Sequence, residues 1–119
     1  MARVLGIGGV FLRSVDPTAL AAWYRDVLGI EFADGPFAIL AGDDDSYAVL
    51  ATFESDSDYI GDPARQQVMV NFRVDDLATM VEQLSAAGVH TEAIIDESNG
   101  RFTWTFDVDG NRIELWEPN

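Results

Sequence analysis

Apolar residues along the chain fall into two rhythms that follow one another twice. Val10-Phe11-Leu12-Arg13 alternates as a strand does and leads to Asp16, after which Leu20, Tyr24, Val27 and Leu28 recur at helical spacing. Val70-Asn71-Phe72-Arg73 repeats the strand signal and leads to Asp76, followed by Leu77, Met80, Val81 and Leu84 on one helical face. An aspartate before each helix can accept the unpaired amides of the first turn, and Pro17 suits the first helical position. Gly29 and Gly88 follow the last apolar residue of each helix, where a left-handed cap is expected.

After each helix the pattern predicts three short strands. They cover Ile30–Ala33, Phe37–Leu40 and Tyr47–Phe53 in the first half, and His90–Ile95, Phe102–Asp107 and Arg112–Trp116 in the second. Gly35-Pro36, Gly42–Ser46 (with the acidic run Asp43-Asp44-Asp45 as a solvated turn), Asn99-Gly100 and Asp109-Gly110-Asn111 supply the turns. Arg13 and Arg73 are 60 residues apart, Asp16 and Asp76 are 60 apart, and Gly29 and Gly88 are 59 apart. The reading is one α+β domain over residues 1–119 made of two tandem βαβββ units. Unit one covers about 1–54, a linker 55–67, and unit two about 68–119. Neither unit buries its sheet alone, so they pack side by side or exchange between chains.

Composition narrows the function classes. The chain has 119 residues, 48% of them hydrophobic, enough for one folded core. It has no cysteine, which removes disulfides, thiolate metal sites and a cysteine nucleophile. With 21 acidic and 7 basic residues the net charge is −14, a field that repels nucleic-acid phosphates and anionic membranes. Such charge serves solubility, or attraction of a cationic ligand. The apolar run Val4–Leu12 is too short to span a bilayer and no small-residue cleavage site follows it, so a strand of a cytoplasmic protein is expected.

The segments "GIGGVFLRSVDPTALAAWYRDVLGI", "VNFRVDDLATMVEQLSAAGV" and "DVDGNRIELWEP" resemble the vicinal oxygen chelate superfamily. That family includes glyoxalase I, extradiol dioxygenases and the fosfomycin- and bleomycin-resistance proteins. The resemblance implies a curved eight-stranded mixed sheet around a cavity, with helices outside. It also implies a divalent metal held by the first and last strands of each unit. Strand alternation then leaves Gly9, Phe11 and Arg13 toward the cavity, with Met69, Asn71 and Arg73 from the second unit's first strand and Arg112, Glu114 and Trp116 from its last. The family's ligand positions match Gly9, Met69, Ala51 and Glu114, so only Glu114 retains a ligand and no metal or other cofactor is expected.

Each remaining candidate has two readings. Glu114 is a general base, or the acid of an ion pair with Arg13, Arg73 or Arg112 on the same face; the ion pair is the simpler. Arg13 and Arg73 clamp an anionic group, or lie at the rim in solvent. Phe11, Trp104 and Trp116, with Phe102, line an aromatic pocket, or are packing; the phase of the Trp104 strand is open. Met69, Asn71 and Arg112 complete the expected ligand-binding set. His90, the one histidine, belongs at an exposed helix exit. Gly6-Ile7-Gly8-Gly9 precedes a strand rather than a helix and is no dinucleotide loop. Asp56-Ser57-Asp58 lacks the remaining ligands of a calcium loop.

The function expected from the resemblance is metal-independent binding of a small cationic or aromatic molecule in the sheet cavity. Bleomycin-resistance proteins, which are acidic dimers that sequester a cationic drug, are the precedent. The alternative is a glyoxalase-like lyase or isomerase, or a dioxygenase-type enzyme, with an atypical metal site or Glu114 as general base. A purely structural or regulatory dimer is a third. A homodimer is expected because each half leaves strand edges to cover.

Overall fold

The computed structural model describes residues 1–32, 35–42 and 47–119. Its elements are β1 (Val4–Ser14), α1 (Pro17–Leu28), β2 (Phe37–Ala41), β3 (Tyr47–Glu54), β4 (Val68–Val74), α2 (Leu77–Ala86), β5 (Ile95–Glu97), β6 (Gly100–Phe106) and β7 (Arg112–Pro118). Seven strands follow the hydrogen-bonded order β2-β3-β1-β4-β7-β6-β5. The sheet is mixed: β1/β3 and β4/β7 run parallel, while β2/β3, β5/β6 and β6/β7 run antiparallel.

Seven strands among the described residues correct the expected eight. Of the anticipated strand Ile30–Ala33, residues Ile30–Phe32 are not extended into the sheet and Ala33 lies outside the described residues, as does the expected Asp43-Asp44-Asp45 turn. The Ile30 amide turns back to the Tyr24 carbonyl of α1, which takes it out of any ladder. Pro36, with no N–H to give, then contributes only its carbonyl, to the Thr52 amide. In the second half β5 is three residues long and starts at Ile95, where a strand from His90 was expected. There the Thr103 and Thr105 hydroxyls donate to the carbonyls of Glu92 and His90, so side chains replace much of the backbone ladder.

The helix boundaries follow their caps. Asp16 accepts from the Ala19 amide and Asp76 from the Thr79 amide. Gly29 adopts φ 71°, a left-handed conformation that a residue with a Cβ enters only at a cost. Gly88, also at positive φ, follows α2 with its amide on Ser85 O and the Val89 amide on Leu84 O, a Schellman arrangement.

The chain divides into two compact units, Met1–Gly8 with Val70–Asn119 and Gly9–Met69. The first eight residues therefore go with the second half. They are tied there by the Gln83 side chain, which bridges the Ala2 amide and carbonyl, and by reciprocal bonds between Arg3 and Asp75. In this unit the core is Ala2, Val74, Leu77, Met80 and Leu115, with Phe72, Leu84, Ile94 and Ile113 packed around it. These side chains cover α2 and leave Asn71, Arg73, Glu114 and Trp116 for the opposite face of the strands. In the Gly9–Met69 unit, Thr52 faces α1 and bonds the Pro17 carbonyl, while Phe11, Phe53 and Tyr59 cluster on the other face. No helix among the described residues is long and apolar enough to cross a membrane.

The α2 cap carries a pH dependence. The Thr79 amide and hydroxyl both donate to Asp76 and hold its carboxyl below the ordinary aspartate value. A lowered folded pKa contributes stability that is complete above the ordinary aspartate range and is lost as pH falls through the lowered value. In Asp76→Asn that share of the acid dependence is expected to disappear, while stability at neutral pH changes little because asparagine also caps. Thermal melts through the acid range check this; parallel pH profiles for the two proteins would contradict it.

Candidate functional site

The sequence-predicted residues gather most densely in the unit formed by residues 1–8 and 70–119. Parallel pairing of β4 with β7 sets Asn71 beside Glu114 and Arg73 beside Trp116. Antiparallel pairing of β6 with β7 sets Trp104 beside Glu114 and Phe102 beside Trp116. This settles the phase of the Trp104 strand. Glu114 is 1% exposed and Asn71 2%, so both polar side chains are inside.

A carboxylate so deeply buried has to be hydrogen-bonded or it destabilises the fold. Asn71 Nδ2 donates to Glu114 Oε1 at 2.6 Å, and the Trp104 indole N–H donates to Glu114 Oε2 at 2.8 Å. Around this centre the rings form a wall. Phe102 stacks on Trp116 with centroids 5.9 Å apart and on Trp104 at 6.4 Å, and the Trp116 indole N–H donates to Asn99 O. Arg112 lies over the Trp104 ring at 5.2 Å and pairs with Glu92 at 2.8 Å.

Arg73 is half-buried. Its guanidinium reaches along β1, with Nη2 3.0 Å from where a Gly6 methyl group would lie. A methyl on Gly8 would overlap Asn71 Oδ1 and come within 2.9 Å of both Arg73 Cγ and Trp116 Cε3. The alternate glycines of β1 are therefore a shelf on which Asn71, Arg73 and Trp116 rest. The sequence pointed to no role for Gly6 and Gly8; the close approach is visible only once β1 and β4 are placed.

The other candidates lie in the Gly9–Met69 unit. Phe11 is buried against Phe53 and Tyr59, and Met69 is fully buried. The Arg13 guanidinium donates to the carbonyls of Ser55, Ser57, Gly61 and Gln66. Its donors are engaged in holding the linker, in neither of the roles expected from sequence. This unit also has a half-open groove of about 580 Å³ between α1, Phe32, the Gly35-Pro36-Phe37 turn and the end of β3, lined by Ala21, Arg25, Phe37 and Phe53 among others. It was not foreseen, because its walls come from helix and turn residues that no motif connects.

The metal implied by the resemblance does not suit the residues present. Gly9 has no side chain, and a methyl there would lie 2.8 Å from Val49 O. Ala51 and Met69 are buried and supply no hard oxygen or nitrogen donor. Ala51 pairs with Phe11 in β1/β3 as Glu114 pairs with Asn71 in β4/β7. Glu114 alone has carboxylate oxygens, and each accepts from a neighbour. Among the described residues no group of three or more His, Cys, Asp or Glu is arranged around one point.

Known proteins supply the context. A family model described as the Glyoxalase/Bleomycin resistance protein/Dioxygenase superfamily matches residues 6–115. Methylmalonyl-CoA epimerase from Mycobacterium tuberculosis superposes with a TM-score of 0.71 at 24% identity, covering 98% of this chain and 89% of that one. A Streptomyces coelicolor methylmalonyl-CoA epimerase variant in complex with 2-nitronate-propionyl-CoA gives 0.76 at 18% identity, covering 98% and 99%. A superfamily member from Vibrio splendidus 12B01 gives 0.62 at 17% identity, covering 98% and 99%. Curated protein sequences give no match.

Two substitutions test the geometry. Glu114→Gln turns one acceptor into a donor, so Asn71 Nδ2 or Trp104 Nε1 loses its partner, at an expected cost of about 1–3 kcal/mol. Gly8→Ala forces a methyl into Asn71, Arg73 and Trp116, with an expected cost of about 1–3 kcal/mol. Urea unfolding reads both, and an unchanged midpoint in either would show that the corresponding contact is slack.

Proposed function

The chain belongs to the Glyoxalase/Bleomycin resistance protein/Dioxygenase superfamily, and on that footing we propose that it binds a small aromatic or cationic molecule without a resident metal. The observation that carries this reading is Glu114, the one acid at the family's ligand positions, with each oxygen hydrogen-bonded to Asn71 or Trp104 inside the fold. A carboxylate in that setting organises a recognition surface. A general base, by contrast, needs an oxygen directed at a substrate proton. The aromatic wall of Phe102, Trp104 and Trp116 suits a planar ligand, and the net charge of −14 favours a cation over an anion.

The matching pairs Phe11–Ala51 and Asn71–Glu114 support a tandem origin for the two halves. A cytoplasmic homodimer remains the working form. The epimerase activity named for the structural neighbours is not carried over, since identities of 18–24% carry the fold and not the chemistry.

Calorimetric titration of chelator-stripped protein with zinc, nickel, cobalt, manganese and iron(II) tests the proposal. No tight one-to-one binding is expected. Tight binding that disappears in Glu114→Gln would overturn the reading and put the metal-dependent enzymes of the family in its place.

A further inference from the structure

The groove beside α1 is separate from the Glu114 face, since every residue lining it lies within the Gly9–Met69 unit. It exists because α1 meets the sheet through small side chains, Ala21 being the buried residue of the helix, and because Ile30–Phe32 do not continue into the sheet. At about 580 Å³ it has the size of a small-molecule site. Ala21, Phe32, Phe37 and Phe53 give it apolar walls, and the last two rings meet edge to face with centroids 6.3 Å apart. Its two charged groups differ. Arg25 donates through Nε and Nη2 to the two oxygens of Asp26, at 3.0 and 3.4 Å, so its charge is met within the helix. The Glu54 side chain, at the end of β3, has neither a hydrogen bond nor an ion pair among the described residues. Pro17 and Pro36 also line the groove, and neither has an N–H to offer.

We infer that this groove is a binding site for a small aromatic primary amine in its protonated form. The ring lies among Ala21, Phe32 and Phe37, and the ammonium pairs with the Glu54 carboxylate at the open end. A carboxylate head meets the reverse situation. Glu54 repels it, the two prolines give it no donor, Arg25 is shared with Asp26, and the net charge of −14 opposes it as well. A neutral head keeps the apolar contacts and gains nothing from Glu54. The inference does not rest on the Glu114 reading: it assigns a second site, in the other unit, that stands or falls by itself.

The test uses the full-length, isotope-labelled protein titrated at low ionic strength with phenethylamine, phenethyl alcohol and hydrocinnamate, which share a phenylalkyl body and differ in the charge of the head. Nuclear magnetic resonance follows the Ala21 methyl group and the Phe37 ring, while the Trp104 and Trp116 indoles mark separately any binding on the Glu114 face. The amine is expected to bind saturably and shift the groove signals, with an affinity about fivefold above that of the alcohol, the worth of a solvent-exposed charge pair. Hydrocinnamate is expected to bind most weakly. Glu54→Gln is expected to bring the amine down to the affinity of the alcohol. Glu97→Gln removes the same charge from an exposed strand of the other unit and is expected to change nothing, which separates local pairing from general attraction to an acidic protein. Thr18→Phe, at an exposed position on the groove wall, is expected to block all three ligands. Equal affinity for amine and alcohol overturns the inference, as do tighter binding of hydrocinnamate, equal effects of the two glutamine variants, and amine binding retained in Thr18→Phe. Absence of saturable shifts at Ala21 and Phe37 overturns it too, whatever the indoles show. None of those results touches the metal-free reading, which the metal titration decides.

Discussion

The hydrogen bonds to the Glu114 carboxylate constrain everything on that face of the strands. A carboxyl group at 1% exposure is tolerated only with hydrogen-bond partners on it, and the donors come from a strand on each side of β7. Asn71 reaches it from β4 and Trp104 from β6, so one side chain ties three strands by means other than their backbone ladders. The same requirement dictates the orientation of Asn71 and the plane of the Trp104 ring. Arg112 then finds the Trp104 ring to lie over, and the Phe102–Trp116 stack continues the wall. A leucine at 114 would fill the space and leave an amide and an indole N–H without acceptors.

The elements that local chemistry specifies were legible in the sequence. Asp16 and Asp76 cap their helices as expected, the glycines after each helix take positive φ, and the strand alternation places Phe72, Val74, Ile113 and Leu115 against α2. The elements set by longer-range competition were not. Ile30 was counted toward a strand, but its amide is drawn back into the helix end. His90–Ile95 was read as a strand, yet Thr103 and Thr105 take the carbonyls of Glu92 and His90 with hydroxyls that any alternation pattern counts simply as polar.

The candidate site was legible as a set of residues and illegible as a set of relations. Asn71, Arg73 and Glu114 were picked out from strand phase and resemblance, and Trp104 as an aromatic whose strand phase was open. What each one does depends on partners distant in sequence. Arg13 and Arg73 occupy matching places in the two halves and looked equivalent, but a cluster of carbonyls surrounds one, while the other lies over glycines. The backbone carbonyls that engage Arg13 have no signature in the sequence, and neither does the lack of a side chain at Gly6 and Gly8 until its neighbour is known.

The Arg13 guanidinium has a further consequence. Ser55, Ser57, Gly61 and Gln66 are spread over the linker between β3 and β4, and one planar cation gathers their carbonyls together. Closing a chain segment in this way removes conformational freedom, much as a covalent bridge does. In a polypeptide with no cysteine, the arginine serves as a cross-link that forms as soon as the chain folds. It requires no oxidant, no reductant can undo it, and its strength is indifferent to the redox state of whichever compartment the protein occupies.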